Sequence, residues 1–167
     1  MVSLIRAMQQ RGFATPCLVV SNRPDAAGLA KAQELGVPSV SYDTDFEHMA
    51  HLALTQAKAD VLCLAGFMRV LSAGFLDAFK RPVLNIHPSL LPDFKGLNTH
   101  QRALDAGVRE HGCSVHLVTP KLDDGPILGQ TRVPVLAGDS AKTLAARVLV
   151  EEHKLYPQAL EQFLHSL

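Results

Sequence analysis

The chain shows no excess of either charge: Lys and Arg number 16, Asp and Glu number 16, and the formal charge at neutral pH is zero. A balance of that kind supplies no overall attraction to nucleic acid or to an anionic membrane, so a small-molecule partner is expected. No uninterrupted apolar run approaches the roughly 18 residues that a membrane span requires. The first residues lack the basic stretch, apolar core and small-residue cleavage site of a secretory signal, and a cytoplasmic setting is expected by elimination. Cysteine is scarce and odd in number. Cys17, Cys63 and Cys113 are far apart, each in an apolar stretch, and read as reduced core residues rather than a disulfide frame or metal site. The eleven glycines form neither G-x-G nor G-x-x-x-x-G-K, so the usual dinucleotide and triphosphate loops are unsupported.

What is present suits one globular domain spanning residues 1–167, with 47% hydrophobic and 19% charged residues. Residues 17–20 (CLVV), 61–65 (VLCLA) and 83–86 (VLNI) are short apolar runs between turn formers, as expected of strands buried on both faces of a parallel sheet. Between them Phe46, Met49, Ala50, Ala53, Leu54 and Ala57 recur at helical spacing, and Leu29, Ala32 and Leu35 do so before a capping Gly36. Strand and helix alternating in this order predict an α/β, doubly wound, Rossmann-like, mostly parallel sheet. Residues 113–118 alternate, Ser114 and His116 on one face and Val115 and Leu117 on the other, which predicts a half-buried strand. After the turn KLDDGP an extended run from Ile127 to Val135 predicts an antiparallel partner near the C-terminal end. Asp139 or Ser140 should cap a long helix through Leu144, Val148 and Leu155 that Pro157 breaks or kinks. Leu4, Ile5 and Met8 begin the chain as an amphipathic helix with no strand before it.

The densest cluster of unusual residues is NIHPSLLPDFKG at 85–96, where a buried strand runs into a loop, the place ligands occupy in open α/β sheets. Asn85 and His87 lie two apart on extended backbone and project to the same side. A carboxamide donor beside an imidazole suits acyl transfer, the amide stabilising an oxyanion and the ring handling a proton. Taken alone, such a pair is as well read as a hydrogen-bonded structural element at a strand end. His111 and His116 without a third ligand at a known spacing do not make a metal site.

The residues Asn-x-His followed by PSLLP, with an Asp in a later loop, resemble the folate-dependent formyltransferases. LAGFMRVLS (64–72), GLNTHQRAL (96–104), HGCSVHLVT (111–119), LDDGPIL (122–128) and EEHKLYP (151–157) bring it nearest to members acting on glycinamide ribonucleotide. The resemblance runs from residue 2 over nearly the whole chain. It implies formyl transfer from 10-formyltetrahydrofolate, a cosubstrate, to the ribonucleotide amine in purine synthesis, with direct attack, a tetrahedral intermediate and no metal. Asn85 and His87 would hold the intermediate's oxygen, and Asp123 would orient a water and keep His87 protonated. Leu64, Arg69, Val70, Leu71, Val83 and Val118 would line the folate pocket, Glu152 would meet the ribonucleotide, and Ser114 and His116 would support the site.

Each of these assignments has a plainer reading beside it. Asp123 and Asp124 before Gly125 resemble solvated turn formers, and Arg69 after an apolar strand could cap the sheet. Relatives in this family begin with a strand and a glycine-rich phosphate loop that this sequence lacks, so a missing first strand and weak ribonucleotide binding are expected. Leu149 stands where some relatives carry a polar residue. Other readings are a hydrolase of the same folate, a formyltransferase with another acceptor, or an inactive folate-binding remnant. A member acting on tRNA would carry a further C-terminal domain and a basic surface. Oligomeric state is not legible.

Overall fold

In a computed structural model residues 1–167 are described. They form α1 (Val2–Arg11), β1 (Val19–Ser21), α2 (Ala27–Glu34), β2 (Ser39–Ser41), α3 (Phe46–Gln56) and β3 (Leu62–Leu64) in the first part of the chain. Then follow α4 (Ala73–Phe79), β4 (Val83–His87), α5 (Thr99–Asp105), β5 (Glu110–Leu117), β6 (Ile127–Pro134) and α6 (Ala141–His165). The strands make two sheets, a parallel pair β1-β2 and a four-stranded sheet in the order β3-β4-β5-β6. Both joints of β5, to β4 and to β6, are antiparallel. The architecture is α/β with a parallel element and antiparallel strands toward the C-terminus. No helix is long and apolar enough to cross a membrane.

Contacts group the residues into two units, Met1–Leu62 with Gly66–Pro82, and Cys63–Ala65 with Val83–Leu167. In the first, Ile5 of α1, Ala32 of α2 and Val37 form a buried cluster with Met1, Met8, Val19 and Leu35 packed on it. Gly36, at φ 73°, ends α2 in the left-handed conformation that a residue without Cβ adopts freely. Ser72 caps α4 through the Phe75 amide and is itself held by Glu47 of α3.

The second unit is built on α6, which packs against β4, β5 and β6. Leu84, Val115, Leu144 and Val148 are fully buried, each contributing about 1.5–3 kcal/mol relative to exposure. The Tyr156 hydroxyl donates to the Leu84 carbonyl at 2.9 Å, tying α6 to β4. Ser140 caps α6 in a reciprocal box with Thr143, and Asp139 holds Arg147. At Gly112 a Cβ would stand 2.0 Å from the Thr131 carbonyl oxygen, so the β5-β6 pairing closes there only because the side chain is absent.

Four sequence expectations are corrected. Pro157 does not break α6, which continues to His165 with Leu155, Tyr156, Ala159 and Leu160 all buried around it; that packing outweighs the one lost backbone bond. Strand β5 is buried on both faces rather than one, because Ser114 and His116 are 0% and 2% exposed. Strands β1 and β3 are only partly buried. Cys17 is exposed, whereas burial pushes the thiols of Cys63 and Cys113 up to about 12 and keeps them protonated.

Candidate active site

The pleat of β4 carries Asn85 and His87 on one face, and the antiparallel register sets His116 opposite Asn85 and Ser114 opposite His87. Four polar side chains therefore share one patch of sheet. The register between β5 and β6 shifts at Val115/His116. Such a bulge re-aims a side chain at the end of a ladder, and here it falls on His116.

Ser114 fixes the loop beyond β4. Its hydroxyl donates to the Ser89 carbonyl at 2.7 Å and accepts from the Leu91 amide at 3.0 Å and from Gln130 Nε2 at 2.8 Å. Gln130 also donates to the Leu91 carbonyl. The PSLLP stretch leaving His87 is thus tied to β5 and β6 through a buried oxygen.

Asp123 reaches the patch from the β5-β6 loop, in left-handed backbone at φ 47°. Its Oδ2 accepts from the Gly96 amide at 2.9 Å and lies 3.4 Å from His87 Nδ1, while Oδ1 lies 3.7 Å from His116 Nε2. The side chains of His87 and Asp123 are each 7% exposed. His87 Nε2 donates to the Phe94 carbonyl at 3.0 Å, since a carbonyl can only accept. Both nitrogens of that ring are engaged.

Tautomer logic fixes His116. Its Nδ1 donates to the Leu117 carbonyl at 2.9 Å, so Nε2 of the neutral ring presents a lone pair to Asn85 Nδ2 at 3.2 Å. Burial lowers the affinity of His116 for a proton, against the opposing pull of the Leu117 carbonyl and Asp123. The amide group of Asn85 is thereby turned with one N–H toward His116 and its second N–H available.

Behind the loop, His111 Nε2 and His100 Nδ1 are 3.2 Å apart and the rings meet edge to face, with Phe94 against His111 in the same manner. Burial lowers both imidazoles, His111 to about 4. That contact takes up one nitrogen of each ring.

The remaining expected residues divide between the units. Leu64, Val83 and Val118 lie in the second, where the Val118 amide donates to the Val83 carbonyl at 2.7 Å. Arg69, Val70 and Leu71 lie in the first: Arg69 has its guanidinium 6.0 Å from the centre of the Phe46 ring, Val70 is 63% exposed, and Leu71 is buried. Glu152 sits on α6 in the second unit, half-buried, and burial raises its carboxyl. The sequence reading missed Phe94 and Gly96 as backbone partners of His87 and Asp123. The one available signal was Gly96 itself, whose φ of 78° marks a turn inside the motif.

The model of the formyl transferase family matches residues 1–160. This chain belongs to the formyl transferase family. Among members of that family it is 43% identical over 156 residues to the phosphoribosylglycinamide formyltransferase of Escherichia coli, covering 87% of this chain and 72% of that protein. The crystal structure of the phosphoribosylglycinamide formyltransferase from Brucella melitensis superposes with a TM-score of 0.91 at 51% identity, over 98% of this chain and 88% of that one. The trifunctional purine biosynthetic protein adenosine-3 of Gallus gallus is 44% identical over 156 residues, and the match spans 16% of its length.

Proposed function

We propose that this member of the formyl transferase family transfers the formyl group of 10-formyltetrahydrofolate to the amine of glycinamide ribonucleotide, a step of purine biosynthesis. The observation that carries the reading is the convergence, on one patch at the end of β4, of the Asn85 amide, the His87 ring and the Asp123 carboxylate 3.4 Å from it. The names of the relatives support the formyl group and its acceptor, and the resemblance of the motifs supports the folate donor.

In this reading the amine nitrogen attacks the formyl carbon directly, and the carbonyl electron pair moves onto oxygen. The available N–H of Asn85 and the charged ring of His87 hold that oxygen, as preorganised donors do where charge develops. The charged ring satisfies its surroundings, with Nδ1–H toward Asp123 and Nε2–H toward the Phe94 carbonyl. The substrate oxygen must take the place of one of these partners. Asp123 orients a water that accepts the proton lost by the amine; the carbon to N10 bond then breaks as the carbonyl re-forms, and N10 ends protonated. Within the second unit Leu64, Val83 and Val118 contact the folate, and Glu152 contacts the ribonucleotide near its amine.

Loss of the formyl donor, with parallel measurement of formylated ribonucleotide and of free formate, tests the reading. Formylated product at the expense of donor is expected, with His87→Ala and Asp123→Asn each lowering kcat by roughly 10²–10³. Formate released whether or not ribonucleotide is present would move the assignment to a hydrolase. No consumption of donor would overturn it.

A further inference from the structure

The segment between β4 and α5 holds an unusual backbone. Phe94, Gly96 and Asn98 all have positive φ, at 55°, 78° and 56°. For glycine this is cheap and asparagine tolerates it; for phenylalanine the Cβ crowds the following carbonyl, and such a residue persists only where its surroundings over-determine it. The consequence is directional. In this conformation the Phe94 carbonyl faces His87 Nε2 and the Gly96 amide faces Asp123 Oδ2. Three residues of backbone therefore bridge the two ionisable groups of the patch from behind, one by an acceptor and the other by a donor.

One side chain from α5 spans the bridge. Arg102 Nη1 donates to the Lys95 carbonyl at 2.6 Å and to the Leu97 carbonyl at 3.3 Å, and its guanidinium lies 5.7 Å from the centre of the Phe94 ring. The Lys95 carbonyl belongs to the same peptide group whose N–H, that of Gly96, faces Asp123. The planar fork of an arginine can bond carbonyls and cover an aromatic face at once, which an ammonium cannot. His111 closes another side of the Phe94 ring.

We propose that Arg102 is a positioning residue for formyl transfer: by clasping Lys95, Leu97 and Phe94 it holds the Phe94–Gly96 bridge in the conformation that sets the His87 ring and the Asp123 carboxylate. It touches no reacting atom and acts through the backbone. The inference rests on His87 and Asp123 having the roles given above, but its structural half, the fixing of the His87 ring, is independent of any substrate.

Two readouts separate those halves. The first is steady-state kinetics of Arg102→Ala and Arg102→Lys. The Ala variant should lose roughly 10-fold to 100-fold in kcat, as small misplacements of reacting groups do, with KM for both substrates within about threefold of the parent. The Lys variant should regain part of the loss, since it can bond one carbonyl without covering Phe94. The second is the imidazole nitrogen spectrum of His87 in the substrate-free protein. The Nε2–H of the parent, held by the Phe94 carbonyl, should give a sharp, slowly exchanging imidazole signal that is broadened or lost in Arg102→Ala. An unchanged kcat and an unchanged spectrum overturn the proposal, and so does a loss of kcat with the Nε2–H signal retained. Should the parent transfer no formyl group, the spectrum alone decides: loss of the signal in the variant upholds the positioning while the proposed reaction falls. If Arg102→Ala does not fold, Arg102→Lys and Arg102→Gln carry both measurements.

Discussion

The oxygen of Ser114 is the most heavily used side-chain atom near the site, with three bonds in a position that is 0% exposed. Replacing it by alanine leaves the Leu91 N–H without its acceptor in the interior. An unmade buried hydrogen bond costs about 1–3 kcal/mol, more than the net worth of the bond itself. Gln130 keeps its bond to the Leu91 carbonyl, so the loop should loosen rather than detach. Ser114→Ala is therefore expected to remain folded, to lose about 1–3 kcal/mol in urea unfolding, and to lose kcat because the loop begins at His87. A change below about 0.5 kcal/mol, the usual range for surface substitutions, would contradict the account of this oxygen as the knot of the loop.

At the scale of elements, the question is what delivers Asp123 to the sheet from a loop. Gly125 closes that loop onto the end of β5: a Cβ there would stand 1.8 Å from the Leu117 carbonyl oxygen and 2.8 Å from its carbon. Both are backbone atoms that cannot swing aside, and the same carbonyl accepts the bond that fixes His116. Gly125→Ala should thus open the turn, with kcat reduced at least about tenfold, the order expected for misplaced reacting groups, while far-ultraviolet circular dichroism stays near that of the parent. Retained kcat would mean that the turn relaxes without moving Asp123.

The same elements show what was readable in advance. Strand β4 was legible because its apolar run is flanked by turn formers, and the two-residue period alone placed Asn85 and His87 on one side. Strand β5 misled because alternation of polar and apolar residues reads as one wet face, whereas Ser114 and His116 are satisfied by residues distant in sequence, Leu91, Gln130 and Asn85. Strand β2 has three residues, too few for a period. The left-handed Phe94 carries no sequence mark, since its conformation is imposed by tertiary contacts. The approach of Asp123 to His87 came from family resemblance; spacing alone does not encode a contact 36 residues apart along the chain.

For the molecule as a whole, the buried imidazoles make the second unit sensitive to acid. His111 is 1% exposed, with Nε2 toward His100, and burial, aided by the neighbouring charge of His100, lowers it to about 4. His100 and His116 are lowered for the same leading reason. A histidine whose folded affinity for protons lies below its unfolded one is protonated first in the unfolded chain, so acid favours unfolding. The stability these rings contribute is complete above the ordinary imidazole value of about 6.5 and drains as pH falls toward about 4. Glu152, whose carboxyl is raised by burial, pulls in the opposite direction near the lower end of that window. Three imidazoles against one carboxyl give a net loss on acidification. Thermal melts should accordingly show Tm declining from pH 6.5 to pH 4. In His111→Phe, which keeps an aromatic ring against Phe94 but binds no proton, Tm at pH 7 should be lower because His100 loses its partner, and the decline below pH 6.5 should be shallower. Equal slopes in parent and variant would place the acid sensitivity outside this pair of rings.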